Sequence, residues 1–175
     1  IAIRTYFERM AQIRSTGGAT SETSYYSALE NLLNEIGKLI DPEVICNGQL
    51  RNQGAGHPDF GLYSKKQCSK GAPKPGQGEI PERGVIEVKP LADNSWQTAL
   101  GKQATKYFDR YRLVLITNYR EFRLIGEDDT GKPVEREFFQ VAADETAFWS
   151  AAAHPAKAAR EVGKHLGEFL CRVMM

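Results

Sequence analysis

Residues 84–90 read Gly-Val-Ile-Glu-Val-Lys-Pro, a short β-branched run between a glycine and a proline. Side chains alternate between the two faces of a strand, so Glu87 and Lys89 share one face. Ile86 and Val88 share the other face, which is suited to packing in a core. The charged face carries a carboxylate beside an ammonium group, and we expect it to carry the chemistry of the protein.

A second acid opens another predicted strand. Residues 56–60 read Gly-His-Pro-Asp-Phe, and the strand that begins at Asp59 ends at Tyr63. Carboxylates hold a hard cation through oxygen ligands, and a nearby lysine can handle a water molecule or a negative charge. Asp59 together with Glu87 and Lys89 therefore indicates a metal-dependent hydrolase of phosphodiesters.

A helix is predicted after the second strand. Asn94 and Ser95 are suited to cap a helix that covers residues 96–110. Gln103 and Tyr107 are four residues apart on this helix, so their side chains project from the same face.

Three features together resemble the PD-(D/E)xK nuclease superfamily: the acid of the first strand, the Glu-x-Lys of the second strand, and the Gln-x-x-x-Tyr pair of the helix. The similarity covers residues 21–125 and is to the branch that carries a Gln-x-x-x-Tyr helix. This branch is found in nuclease domains of restriction-modification enzymes and in exonucleases similar to the RecB type. The resemblance implies a restriction-endonuclease-like core and a phosphodiesterase that acts on DNA.

The resemblance also implies roles for individual residues. We expect Asp59 and Glu87 to bind Mg²⁺, or alternatively Mn²⁺, with Glu22 and the carbonyl of Val88 as further ligands. Lys89 would orient or help deprotonate the attacking water and offset negative charge on the phosphate. Two residues would position this lysine or a DNA phosphate: Gln103 and Tyr107.

Glu22 is the first candidate for a helix-borne acid in the same site. The pair at 20–21 predicts a helix N-cap and Gly37 predicts its end. At 100° per residue, Glu22 projects within about 20° of the centre of the apolar stripe, whereas Glu30 lies about 100° away. An acid also simply favours a helix N-terminus. However, residues 19–26 look like the helix-opening motif of the restriction-enzyme branch, which leaves Glu30 as the second candidate. The stripe contains Tyr25, Tyr26, Leu29, Leu32, Leu33 and Ile36.

Composition places the chain among soluble globular domains. Its 175 residues suit a single core, and 41% hydrophobic with 26% charged residues is typical of neither disordered nor membrane proteins. It has no apolar run of about 18 residues and no leader pattern, so we expect a cytoplasmic protein without membrane contact. Three separated cysteines indicate ordinary thiols. Motifs for ATP, dinucleotide or serine-hydrolase chemistry are absent from the sequence.

Basic residues cluster locally although the net charge is only +1. The loop at 65–83 adds lysines and reads as a DNA-contacting flap or a tolerated insertion. Such clusters are compatible with phosphate contacts and equally with a solvated surface. The segment that follows the second strand contains six basic residues against two acids: Lys102, Lys106, Arg110, Arg112, Arg120 and Arg123 against Asp109 and Glu121.

The predicted elements define an α/β fold in which a central mixed sheet is flanked by helices. A hairpin of two strands at 113–117 and 121–125 is expected to turn at 118–120, followed by an edge strand at 134–139. Three segments are predicted: an N-terminal helix and linker at 1–20, a nuclease core at 21–140, and C-terminal helices at 141–175. The apolar pattern at 166–175 has no stop signal, so we expect it to lead into a downstream methyltransferase or motor domain.

The leading functional hypothesis is a Mg²⁺-dependent endonuclease domain that cleaves double-stranded DNA within a restriction-modification enzyme, with dimerisation for double-strand cleavage. A nuclease-like fold that binds DNA or partners without cutting is one alternative. An exonuclease similar to the RecB type is another, since it uses the same residues on DNA ends.

Overall fold

The computed structural model describes residues 1–18, 22–48, 50, 54–69 and 79–175, with the backbone alone for Glu22. The helices in these ranges are α1 (Ala2–Ser15), α2 (Tyr26–Gly37), α3 (Ser95–Ala99), α4 (Lys102–Tyr111), α5 (Glu145–Ala152) and α6 (Pro155–Met174), and a 3₁₀ helix (Glu22–Tyr25) precedes α2. The strands are β1 (Val44–Gly48), β2 (Phe60–Ser64), β3 (Val85–Val88), β4 (Val114–Thr117), β5 (Glu121–Glu127) and β6 (Pro133–Gln140).

The strands form one six-stranded sheet in the order β1-β2-β3-β4-β5-β6. Neighbours are antiparallel except β3 and β4, which are parallel and are joined by a crossover that contains α3 and α4. The predicted α/β fold with a mixed sheet flanked by helices is confirmed. The predicted hairpin joins β4 to β5 through a turn in which Tyr119 has a φ of 71°, and β6 is the predicted edge strand.

The two faces of the sheet pack against different helices. Ile86 and Val88 belong to the larger core, together with residues of α1, α2, α5 and α6. Val85 and Tyr63 belong to a smaller core with the buried face of α4. The sheet is therefore the middle of three layers, and the alternation of side chains in β2 and β3 decides which layer each residue meets.

Glycine is required where β3 begins. Gly84 has a φ of +94°, a conformation that side chains with a Cβ rarely adopt. A Cβ at this position would lie 2.5 Å from the carbonyl oxygen of Leu113. The close approach lets β3 start beside β4, which explains the glycine that opens the strand.

Helix α1 is packed into the larger core. Tyr6, Phe7 and Met10 are buried, and the Tyr6 hydroxyl donates a hydrogen bond to the carbonyl of Tyr119 at 2.8 Å. The helix contacts α2, α5 and α6. Across the described ranges, no helix is long and apolar enough to cross a membrane.

The prediction of one continuous helix at 96–110 is wrong, because two separate helices cover this segment. Asn94 caps α3 as expected, because its side chain accepts a hydrogen bond from the Trp96 amide. Gly101, however, is extended (φ −75°, ψ 157°) and begins the separate helix α4. Leu100 is 67% exposed rather than on the buried face. On the two sides of the break, α3 contacts β4 and β5, while α4 contacts β3 and β4.

The helix predicted to begin at 20–21 also starts differently. Both capping residues lie outside the described part of the chain. The first described turn is the 3₁₀ helix, and the α-helix begins only at Tyr26. Because a 3₁₀ helix turns by about 120° per residue, the α-helical projection predicted for Glu22 does not apply.

A buried polar network fastens the segment after β3 to the β4–β5 turn. The Arg120 guanidinium donates to the carbonyls of Leu91, Asp93 and Ala143, and this arginine is 7% exposed. Arg123 bonds the Ser95 hydroxyl and pairs with a carboxylate of β6. Two of the six clustered basic residues, for which phosphate contacts and a solvated surface were both open, are thus held within the protein.

Glu121 is the acid of this network. Its carboxylate accepts hydrogen bonds from the hydroxyl of Ser95 at 2.6 Å and from the amides of Asn118 and Gln140. Burial raises the pKa of Glu121. The Ser95 bond, the charge of Arg120 and the two amides together lower the pKa by more than burial raises it, so it lies below its ordinary value of 4.5.

Glu121→Gln is expected to destabilise the protein by about 2–3 kcal/mol at pH 7, because charged hydrogen bonds are removed. A carboxylate whose pKa is lowered by folding stabilises the protein above its unfolded pKa, and this contribution disappears as the pH falls through the folded pKa. The difference from wild type should shrink between pH 5 and acid pH in urea unfolding. Exposed Glu168→Gln is the control, and a difference that does not change with pH would contradict the prediction.

Candidate active site

The paired strands β2 and β3 bring two acids together. Phe60 pairs with Ile86, and the amide of Asp59 donates to the Ile86 carbonyl at 3.1 Å. Asp59 directly precedes Phe60 and Glu87 directly follows Ile86, so the two acids are neighbours on adjacent chain segments. Both positions sit where the β2–β3 ladder ends.

The Asp59 carboxylate is held by two donors from different elements. The Val88 amide donates to Oδ2 at 2.7 Å, and the Tyr26 hydroxyl donates to Oδ1 at 2.5 Å. The neighbouring Lys89 amide bonds the Thr117 carbonyl of β4, so the Val88 amide faces β2. The carboxylate of Asp59 thus accepts a hydrogen bond from β3 just before the first residue of β2.

Glu87 and Lys89 form an ion pair on the same face. The Lys89 Nζ atom donates to Glu87 Oε1 at 2.8 Å. The glutamate is 4% exposed, whereas the lysine side chain is 27% exposed. The pair therefore presents an accessible ammonium group above a buried carboxylate.

Helix α4 adds the Gln-x-x-x-Tyr pair. The Gln103 amide donates to the Tyr107 hydroxyl at 2.7 Å. The pKa of Tyr107 is raised to about 12, chiefly by burial; the Gln103 bond opposes the shift, and the charges of Glu87 and Asp59 contribute to it. These charges indicate that the hydroxyl lies near both acids, and it stays protonated at neutral pH.

Gly56 brings the loop before β2 against this tyrosine. Its φ is +115°, and a Cβ there would lie 3.4 Å from Cε1 and 3.6 Å from the hydroxyl oxygen of Tyr107. The glycine-rich approach to Asp59 therefore packs closely on α4.

The structure brings five of the predicted site residues into one region: Asp59, Glu87, Lys89, Gln103 and Tyr107. The amide of Val88 takes part, while a metal-binding role for its carbonyl stays a prediction. The side chain of Glu22 lies outside the described residues. Glu30 is half-buried on α2, and its charge acts on Cys46 of β1. Burial raises the pKa of the Cys46 thiol, and the charge of Glu30 raises it further. The choice between the two glutamates stays open.

The donor set suits a cation that keeps its own water. Within the described residues, no three His, Cys, Asp or Glu side chains form a cluster that could hold a metal ion. Mg²⁺ is commonly bound through one or two carboxylates, with waters and substrate phosphate oxygens as the remaining ligands. Asp59 and Glu87 fit this mode.

Tyr26 makes a contact that hydrophobic periodicity did not predict. The apolar stripe of α2 includes it as a core residue, and its ring does pack against Phe60 at 5.1 Å between ring centroids. Its hydroxyl instead reaches the carboxylate of Asp59. Hydrophobic periodicity treats tyrosine as apolar, and the helix-opening motif at 19–26 was used only for its acid, so this contact was not predicted.

Known proteins were compared by sequence and by fold. No family model matches the sequence. No curated protein matches it either. A cryo-EM structure of a DrdV–DNA complex shares the fold with a TM-score of 0.57 and 18% identity, over 91% of this chain and 13% of that chain. This chain therefore spans a small part of its neighbour's length, and its mixed sheet flanked by helices is consistent with a restriction-endonuclease-like core.

Lys89→Met is expected to lower the free energy of unfolding by about 1–3 kcal/mol, because the buried Glu87 carboxylate is left without its cation. Glu87→Gln combined with Lys89→Met should recover part of this stability. Urea unfolding of the two single variants and the double variant at pH 7 gives the coupling energy. Strictly additive effects would mean that the ion pair contributes nothing to stability.

Proposed function

We propose that this chain is a Mg²⁺-dependent DNA nuclease domain that hydrolyses phosphodiester bonds as the cleavage module of a restriction-modification enzyme. The observation that carries the proposal is that Asp59 and Glu87 lie side by side at the end of the β2–β3 ladder, with the Lys89 ammonium on the Glu87 carboxylate. A metal ion held by such carboxylates would polarise a phosphoryl oxygen and activate a bound water.

The structural neighbour supports DNA as the substrate class, since it was determined as a complex with DNA. A methyltransferase or motor domain joined to this chain, dimerisation for double-strand cleavage and a cytoplasmic location belong to the same proposal. An accessible basic surface beside the candidate site adds to the support.

Asp59 and Glu87 would hold the cation through their carboxylate oxygens, with Glu22 and the Val88 carbonyl as further candidate ligands. A bound Mg²⁺ supplies Lewis-acid polarisation of the phosphate and a lower pKa for coordinated water. Lys89 remains oriented by its bond to Glu87 and directs its ammonium toward the water or the phosphate oxygens, where it offsets developing charge.

Gln103 and Tyr107 act on the other side of the site. Because Tyr107 stays protonated far above neutral pH, its hydroxyl is a hydrogen-bond donor rather than a base. The Gln103 amide fixes this hydroxyl from the exposed side of α4. The pair is placed to position a DNA phosphate or the lysine.

Asp59→Ala, Glu87→Ala and Lys89→Ala should each reduce cleavage of supercoiled plasmid by at least about 10²–10³-fold, as removal of one electrostatic stabiliser does. The assay compares Mg²⁺ with EDTA and uses the longest chain that can be prepared. Exposed Glu168→Ala on α6 is the control. Full activity in any of the three site variants would refute the assignment.

The same assay separates the alternatives. A folded wild-type protein that binds DNA without cutting it in Mg²⁺ is a binding module. Cleavage of linear but not circular DNA identifies an exonuclease, whereas nicking of the circle identifies an endonuclease.

The exposed flank of α4 is the surface that best fits a DNA backbone. At 100° per residue, Arg110, Lys106 and Lys102 project within about 100° of Gln103, on the side away from the buried residues of the helix. All three are exposed. Lys102 and Lys106 have no ion-pair partner among the described residues, so they can meet phosphates.

Lys102→Ala with Lys106→Ala should weaken DNA binding and reduce the slope of log affinity against log salt by about 0.9 for each phosphate that is no longer neutralised. Fluorescence anisotropy with duplex DNA in EDTA, at several salt concentrations, measures this slope. Lys157→Ala with Lys164→Ala removes the same charge from α6 and should leave the slope unchanged. Equal slopes in both double variants would exclude this flank.

A further inference from the structure

We infer that Tyr26 is a positioning residue that fixes the Asp59 carboxylate for cation binding. This inference deepens the proposed metal-dependent function and rests on it. Tyr26 lies on α2, outside the strands and the α4 helix that carry the other site residues.

The ring of Tyr26 is anchored next to the aspartate. It packs against the ring of Phe60, the residue that directly follows Asp59, at 5.1 Å between centroids and 52° between planes. The hydroxyl then reaches Asp59 Oδ1 at 2.5 Å. The aromatic contact thus determines where the hydroxyl lies relative to the carboxylate.

Two donors together define the orientation of the carboxylate. The terminal torsion of an aspartate is broad when unconstrained. Here the Val88 amide holds Oδ2 and the Tyr26 hydroxyl holds Oδ1. Each oxygen has about two acceptor sites, so each keeps capacity for a further partner while rotation of the group is restrained. The remaining acceptor sites are presented in one fixed direction.

Adjacent tyrosines on this segment have different surroundings. Tyr25 is 8% exposed and packs its ring against Tyr119 and Trp149 in the larger core. Tyr26 is only half-buried, and its hydroxyl donates to the carboxylate of Asp59. This contact favours a role at the site over one in the core.

Outer partners of metal ligands typically contribute 10–100-fold in metal affinity. The test is Mn²⁺ binding by isothermal titration calorimetry without DNA, using wild type, Tyr26→Phe, Tyr25→Phe and Asp59→Asn. Tyr26→Phe keeps the ring and should raise the Kd for Mn²⁺ by about 10-fold or more. Tyr25→Phe should stay close to wild type, and Asp59→Asn should abolish binding. Urea unfolding of each variant verifies that it is folded.

The outcomes separate the two proposals. The role of Tyr26 is overturned if Tyr26→Phe binds Mn²⁺ as tightly as wild type or more tightly while Asp59→Asn does not bind it. The metal site itself then stands. Equal weakening by Tyr25→Phe also overturns it, because the effect would then be general to this helix. A folded wild type that binds no Mn²⁺, or an Asp59→Asn variant that binds normally, overturns the metal site itself and Tyr26 with it.

Discussion

The Val88 amide donates a hydrogen bond to the side chain of Asp59, at a place where β2 has no further strand residue to accept it. This bond links the pairing of β2 with β3 to the orientation of a candidate site residue. The acceptor is a carboxylate, so the end of the β2–β3 ladder and the orientation of Asp59 are determined together. Glu87 is the residue immediately before Val88, and its position depends on the same pairing. Any change that shifts the register of these strands would therefore displace both acids.

A second constraint acts on the chain immediately after the site. Lys89 is followed by a segment whose carbonyls are bound by the buried guanidinium of Arg120, and Glu121 bonds the start of α3. The lysine thus lies between a strand ladder and a buried polar network, which limits its movement. Arg120 and Arg123 neutralise internal groups, and the exposed cations of α4 remain beside Gln103.

Short apolar runs bounded by turn residues predicted the strands, the hairpin and the mixed sheet, although β2, β3 and β4 are buried on both faces. Alternation also placed Glu87 and Lys89 on one face, where the ion pair is found. The break at Gly101 was missed because the helical spacing of Leu100, Gln103 and Tyr107 continues through it, and a single glycine does not reveal an extended backbone. The hydroxyl of Tyr26 was missed because its contact depends on how α2 packs against β2, which is a tertiary property.

The parallel pairing of β3 with β4 has a kinetic consequence. Asp59 and Glu87 come from antiparallel neighbours, whereas Tyr107 arrives on a crossover that must form before β4 can join β3. Parallel pairing cannot propagate from a tight turn, and closing the intervening chain costs entropy before any contact compensates for it. The connection from β2 to β3 is also long, so the pairing of the two acids and the arrival of α4 both depend on closing long loops. Such non-local pairing is expected to make assembly of the site slow compared with formation of its helices.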